Sequence, residues 1–198
     1  LSGVRTWPQL EALDWHDTLL SQLDWQQRSA LDKHELYEGE IFAMAGASLA
    51  HNTIVGNLIS VLWHATRHGP CRTLPSDMRV RIPGTENYCY PDVLVVCGPP
   101  ELEEAERDVL KNPKVVCEVL SDSTESYDRG AKFAQYRKLP SLTDYVLLAQ
   151  DEVRIEHFAR QPDDSWLMRE LRGGQLVRLS IGCELAVDEI YLKVFAAS

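Results

Sequence analysis

Two stretches decide the fold: PDVLVVC (residues 91–97) and KVVCEVLSDSTESYDRGAKFAQY (residues 114–136). The runs Val93, Leu94, Val95, Val96 and Val115, Val116, Cys117, Val119, Leu120 are apolar segments of strand length, the pattern of strands covered on both faces. Each carries one acid. A carboxylate at the edge of or within a buried strand is costly unless a positive group sits beside it, so Asp92 and Glu118 need partners. Carboxylates on neighbouring strands also repel, and a hard divalent cation with oxygen ligands relieves that repulsion. The structural alternative is that Asp92 caps the strand after Pro91 while Glu118 pairs with an Arg or Lys.

Outward from this centre, residues 7–30 have helical apolar spacing and read as an N-terminal helical appendage (residues 1–30), with Trp7, Trp15 and Trp25 as packing residues. Residues 34–48 read as a hairpin turning at Glu38, Gly39 and Glu40, where an extra metal ligand is the weaker reading. Ser48 is an N-cap, and Ile54, Val55, Leu58, Ile59, Leu62 and Trp63 form one face of the next helix, with His51 in its first turn. In DMRVRIP, alternation predicts a half-exposed strand with Arg79 and Arg81 on a basic outer face. The acidic segment 99–112 reads as a surface excursion, and Asp77 as a solvated acid. After Ser121 a polar cluster starts a helix that Pro140 stops, and residues 144–149 form a third apolar strand. VRIEHFAR, SWLMREL and QLVRLS alternate strictly and predict an antiparallel C-terminal meander, followed by a short closing helix. One α/β domain over residues 31–198 is the simplest account.

With 198 residues, 44% apolar and 25% charged, the composition is that of a soluble globular domain. No stretch of about 18 apolar residues can span a bilayer and no secretory signal is seen, so no membrane partner is expected. Five cysteines at wide spacing without CxxC read as buried free thiols in a reducing, cytoplasmic setting. His64 and His68 lie one helical turn apart but lack a third ligand in a motif. A net charge of -10 argues against bulk coating of nucleic acid, not against local contacts to it.

One further motif, EGEIFAMAGASLAH (residues 38–51), joins PDVLVV (residues 91–96) and EVLSDST (residues 118–124) of the central stretches, the last followed by Asp128, Lys132 and Tyr136 spaced as DxxxKxxxY. Through them the chain resembles the Uma-two family of restriction endonucleases, within the PD-(D/E)XK nuclease superfamily, over about residues 30 to 160. The resemblance implies a restriction-endonuclease-like mixed central β-sheet flanked by helices. It also implies Mg2+ or Mn2+ held by Asp92, Glu118 and the carbonyl of Val119, with DNA as substrate. The superfamily lysine would fall two residues after Glu118, where this chain has Leu120; family spacing makes Lys132 the substitute, while the bare sequence also allows a solvated i,i+4 pair of Asp128 with Lys132. Ser121, Asp128, Tyr136 and His51 then take supporting roles. Arg79, Arg81, Arg129, Arg137 and Lys138 are the candidate phosphate contacts. A homodimer is expected, since cutting both strands needs two sites. The competing expectation is a catalytically inactive nuclease-fold protein acting as a binding or assembly module, because a fold does not fix a function. A Ser or Cys nucleophile is disfavoured by the lack of GxSxG or a Cys/His signature.

Overall fold

The computed structural model describes residues 34–37, 40–43, 47–104, 106–121 and 124–195; the proposed N-terminal appendage and the turn residues Glu38 and Gly39 lie outside these. The central sheet has the order β12-β11-β10-β9-β6-β3. Its middle consists of the two stretches that open the sequence reading, β6 (Val93–Cys97) and β9 (Val115–Val119), with β10 (Asp144–Leu148) beside β9. β9 and β10 run parallel and the remaining pairings are antiparallel, so the sheet is mixed. β3 (Cys71–Pro75) closes one edge, β11 (Ile155–Arg160) and β12 (Trp166–Leu171) the other.

Both faces of the centre are covered, as the unbroken apolar runs require. On one face Val93, Val95, Val115, Cys117, Val119, Val146 and Leu148 pack against Ile54, Leu58 and Leu62 of α1 (Leu49–Thr66). The C-terminal hairpin β13 (Leu176–Leu179) with β14 (Cys183–Ala186), and the short α3 (Val187–Ile190), complete that layer. On the other face Leu94, Val96, Val116, Leu120, Tyr145 and Leu147 meet Tyr136 of α2 (125–136) and the second sheet. That sheet has the order β2-β1-β5-β4-β8-β7, from β1 (His34–Tyr37), β2 (Glu40–Ala43), β4 (Arg79–Arg81), β5 (Tyr88–Cys89), β7 (Leu102–Glu103) and β8 (Glu106–Leu110). Of the hairpin expected at residues 34–48, β1 and β2 pair antiparallel, with Tyr37 opposite Glu40. Ser48 caps α1 by accepting the His51 amide at 3.0 Å.

Several expectations are corrected. Residues 99–112 are not a mere surface excursion: they supply β7 and β8, and Val109 and Leu110 are fully buried. β4 has no basic outer face, because Arg79 is buried and donates through Nε and Nη2 to Asp108 at 3.1 and 2.9 Å. Arg81 is half-buried, with its guanidinium 4.6 Å from the Tyr88 ring and bonded to Glu86. Trp63 does not join the core face of α1 and is 52% exposed. QLVRLS leaves the meander and pairs instead with β14. Cys71 and Cys97 are joined in a disulfide, because antiparallel pairing of β3 with β6 sets them opposite each other; Cys89, Cys117 and Cys183 are free.

The hairpin is tied to the sheet by a buried polar cluster. Asp144, fully buried, accepts from His157 Nε2 at 2.8 Å, from Thr143 Oγ1 at 3.0 Å and from both the amide and hydroxyl of Ser180. Burial pushes this carboxyl up, but the bonds from His157 and Ser180 outweigh it and hold it below the usual carboxylate value. A depressed native pKa stabilises the fold above the unfolded carboxylate range, and that stability is lost as pH falls through the native value. In urea titrations, Asp144→Asn is expected to cost about 2–3 kcal/mol at neutral pH. The wild type should lose this margin on acidification, so the two proteins converge in acid.

Candidate active site

Pairing of Val93 with Cys117 and of Leu94 with Val116 continues one step to set Asp92 across from Glu118. The two acids thus stand at one end of adjoining central strands, Glu118 near the carboxyl end of β9 and Asp92 just before β6. Asp92 Oδ2 accepts the Val119 amide at 2.8 Å and lies 3.2 Å from His51 Nε2. The Ser48 cap brings His51 there by fixing the first turn of α1. His51 Nδ1 is buried with no protein partner.

Glu118 points from β9 toward α2 and is 3% exposed. Its Oε1 accepts from the Tyr136 hydroxyl at 3.0 Å and from Lys132 Nζ, also at 3.0 Å. The ammonium lies 3.4 Å from the Tyr90 carbonyl and 3.6 Å from Asp128 Oδ1. The i,i+4 pair of Asp128 and Lys132 therefore exists, but buried inside the site rather than on a solvated face. What turns both inward is a feature sequence reading did not foresee. Between the α-helical turns Glu125–Tyr127 and Phe133–Tyr136, the segment Asp128–Lys132 winds as a π-helix, a widened turn common at functional sites. The Asp128 carbonyl within that turn accepts from the Tyr145 hydroxyl at 2.9 Å. Arg129 bonds Glu125 within α2 at 2.8 Å and pins the helix to β11 through Glu156. Leu120, where the superfamily lysine would stand, is buried in the core.

Two carboxylates, Glu118 and Asp128, thus flank one ammonium, while Asp92 at the adjoining strand end meets His51 and the Val119 amide. Their field reaches the neighbours. The Cys117 thiol is pushed well up by burial and then by the charges of Glu118, Asp144 and Asp92. The Tyr145 phenol is raised by burial and by Glu118 and Asp128, with Lys132 opposing.

Of the other expected residues, Ser121 lies ahead of α2. Its carbonyl accepts the amides of Thr124 and Glu125 at 3.0 and 2.8 Å, and its hydroxyl meets that of Thr124 at 2.9 Å. Arg137 is exposed at the end of α2, 5.1 Å from the Phe133 ring. Arg79 and Arg81 are committed as described above, and Arg129 belongs to the scaffold. Sequence reading missed the Tyr90 carbonyl and Tyr145. Tyr90 precedes the PD motif directly, a position that could have flagged it, whereas no local signal marks Tyr145.

The chain is 38% identical over 170 residues to the uncharacterized Synechocystis sp. protein slr1290, covering 85% of this chain and 88% of that one. It is 36% identical over 157 residues to a second uncharacterized Synechocystis sp. protein, sll1609, covering 78% and 89% respectively. The crystal structure of a "putative nuclease belonging to DUF820" from Anabaena variabilis shares the fold, with a TM-score of 0.68 and 16% identity over 82% of this chain and 91% of that one. A family model described as "Putative restriction endonuclease" matches residues 19–188, and the chain belongs to that family, Uma2.

Proposed function

We propose that this chain is a restriction-type endonuclease that hydrolyses phosphodiester bonds in DNA and depends on Mg2+ or Mn2+. The observation that carries the proposal is the Lys132 ammonium, 3.0 Å from Glu118 on the strand that sets Glu118 across from Asp92, although position 120 holds leucine. An acid pair with a lysine is thereby restored from a different element.

The donor set suits a hard cation. Asp92 and Glu118 offer carboxylate oxygens, the Val119 carbonyl adjoins them in the chain, and Asp92 Oδ1 is left without a protein partner among the described residues. No group of three or more His, Cys, Asp or Glu suited to a metal occurs among the described residues. That fits magnesium, which keeps several waters and takes one or two carboxylates plus substrate phosphate. Bound there, the ion would polarise a phosphate oxygen, lower the pKa of a water and offset charge on the leaving oxygen. Lys132 orients the attacking water and adds positive charge beside the phosphate. Tyr136 and Asp128 hold Glu118 and Lys132 in place, His51 and the Val119 amide hold Asp92, and Ser121 anchors the turn between β9 and α2. Arg137 contacts a flanking phosphate.

On supercoiled plasmid with Mg2+ or Mn2+, Asp92→Asn and Glu118→Gln are each expected to abolish nicking, while His51→Gln and Tyr136→Phe lower it about 10- to 100-fold. Undiminished cleavage by the two acid variants sinks the proposal. No calorimetric heat at millimolar metal together with no cleavage favours a nuclease-fold binding module instead.

A stability measurement probes the same residues without substrate. Lys132→Met strands a buried carboxylate and is expected to cost about 3–5 kcal/mol in metal-free urea denaturation. Adding Glu118→Gln should recover part of that loss, whereas a purely additive double mutant would show that the two groups are not coupled.

A further inference from the structure

β12 ends the central sheet, and no described strand lies on its outer side. Which of its backbone groups face outward follows from two bonds. The Arg160 amide donates to Thr143 at 2.8 Å, toward β10, and the Gln161 amide donates to Ser165 at 2.8 Å, toward β12. Alternation then directs the N–H and C=O groups of Phe158 and Glu156 to β10, and those of Ala159, His157 and Ile155 to β12. In the register Arg160–Trp166, Phe158–Met168, Glu156–Glu170, the outward groups of β12 belong to Trp166, Met168 and Glu170. Leu167, Arg169 and Leu171 spend theirs on β11. Such an edge is a template for another strand, and proteins ordinarily blunt it with Lys, Pro or a bulge. WLMREL has no Lys or Pro, and its pairing with β11 runs without a register shift.

We propose that β12 pairs antiparallel with β12 of a second copy about a two-fold axis at Met168, joining the two central sheets into one. Outward residues must oppose outward residues, so the axis passes through a residue and not between two. Placed at Arg169 or at Glu170, it would set like charges directly against each other. At Leu167 it would bring Glu170 opposite Asp164 and shorten the overlap. At Met168 the strands overlap from Trp166 to Glu170, methionine meets methionine, and each Leu167 lies under the stem of the other copy's Arg169. Half-exposed Met168 stands opposite Phe158, at the rim of the aromatic cluster of Phe133, Tyr145, Phe158 and Trp166. The second Met168 extends that cover.

The proposal is independent of the nuclease reading, because its test is mass in solution. Light scattering on the full chain is expected to give the mass of two chains. Met168→Pro removes an outward N–H and no bond to β11, so the variant should keep its circular dichroism spectrum and fall to one-chain mass. Met168→Lys, which sets two ammonium groups face to face, should do the same. Met168→Cys treated with oxidised glutathione should form a covalent dimer beyond the wild-type level, since paired Cα atoms about 5.5 Å apart suit a disulfide. A one-chain mass for the wild type, an undiminished dimer in the folded Pro and Lys variants, or cross-linking by Glu170→Cys in place of Met168→Cys would overturn it.

Discussion

A charge taken out of water must be met by another, and in this protein that constraint falls on Glu118. Its carboxylate lies deep on a central strand, between a tyrosine hydroxyl and an ammonium that both arrive from α2. The position of α2 is set largely by this need. Arg129 bonded to Glu156 on β11, and Tyr145 reaching from β10 to the Asp128 carbonyl, act as outriggers that hold the helix where Lys132 reaches its partner. Packing of Tyr136 in the same core cluster as Tyr145 and Leu139 fills the space around them. Replacing such a pair with apolar residues is often neutral or stabilising, so the pair by itself says little about stability.

The central strands were legible because burial on both faces leaves an unbroken apolar signature, and the two acids stood out against it. Asp92 and Glu118 fall at the same end of β6 and β9, one step beyond the pairing of Val93 with Cys117. Lys132 was reachable from the DxxxKxxxY spacing, but the means of its arrival was not. A π-turn leaves no periodicity of its own, and this one is visible only through its consequences for Asp128 and Lys132.

What remained hidden depends on partners distant in sequence. Arg79 looked like half of a solvated basic stripe, and only the parallel pairing of β4 with β8 supplies the Asp108 that draws it inward. Segment 99–112 looked like polar surface because its short strands use few apolar residues. The cysteines gave no spacing motif, since a bond between opposed strands depends on register alone. The same economy governs charge: Arg79 and Arg129 are engaged internally, with Asp108 and Glu156.

The bridge between Cys71 and Cys97 sits at the far end of β6 from Asp92, roughly 17 Å along an extended strand. A slip of β6 by one residue would exchange its two faces and swing the aspartate to the wrong side of the layer. A covalent link at the opposite end works as an indexing pin: it allows the strand a single setting against its neighbour, and the acid inherits its bearing from a bond it never touches.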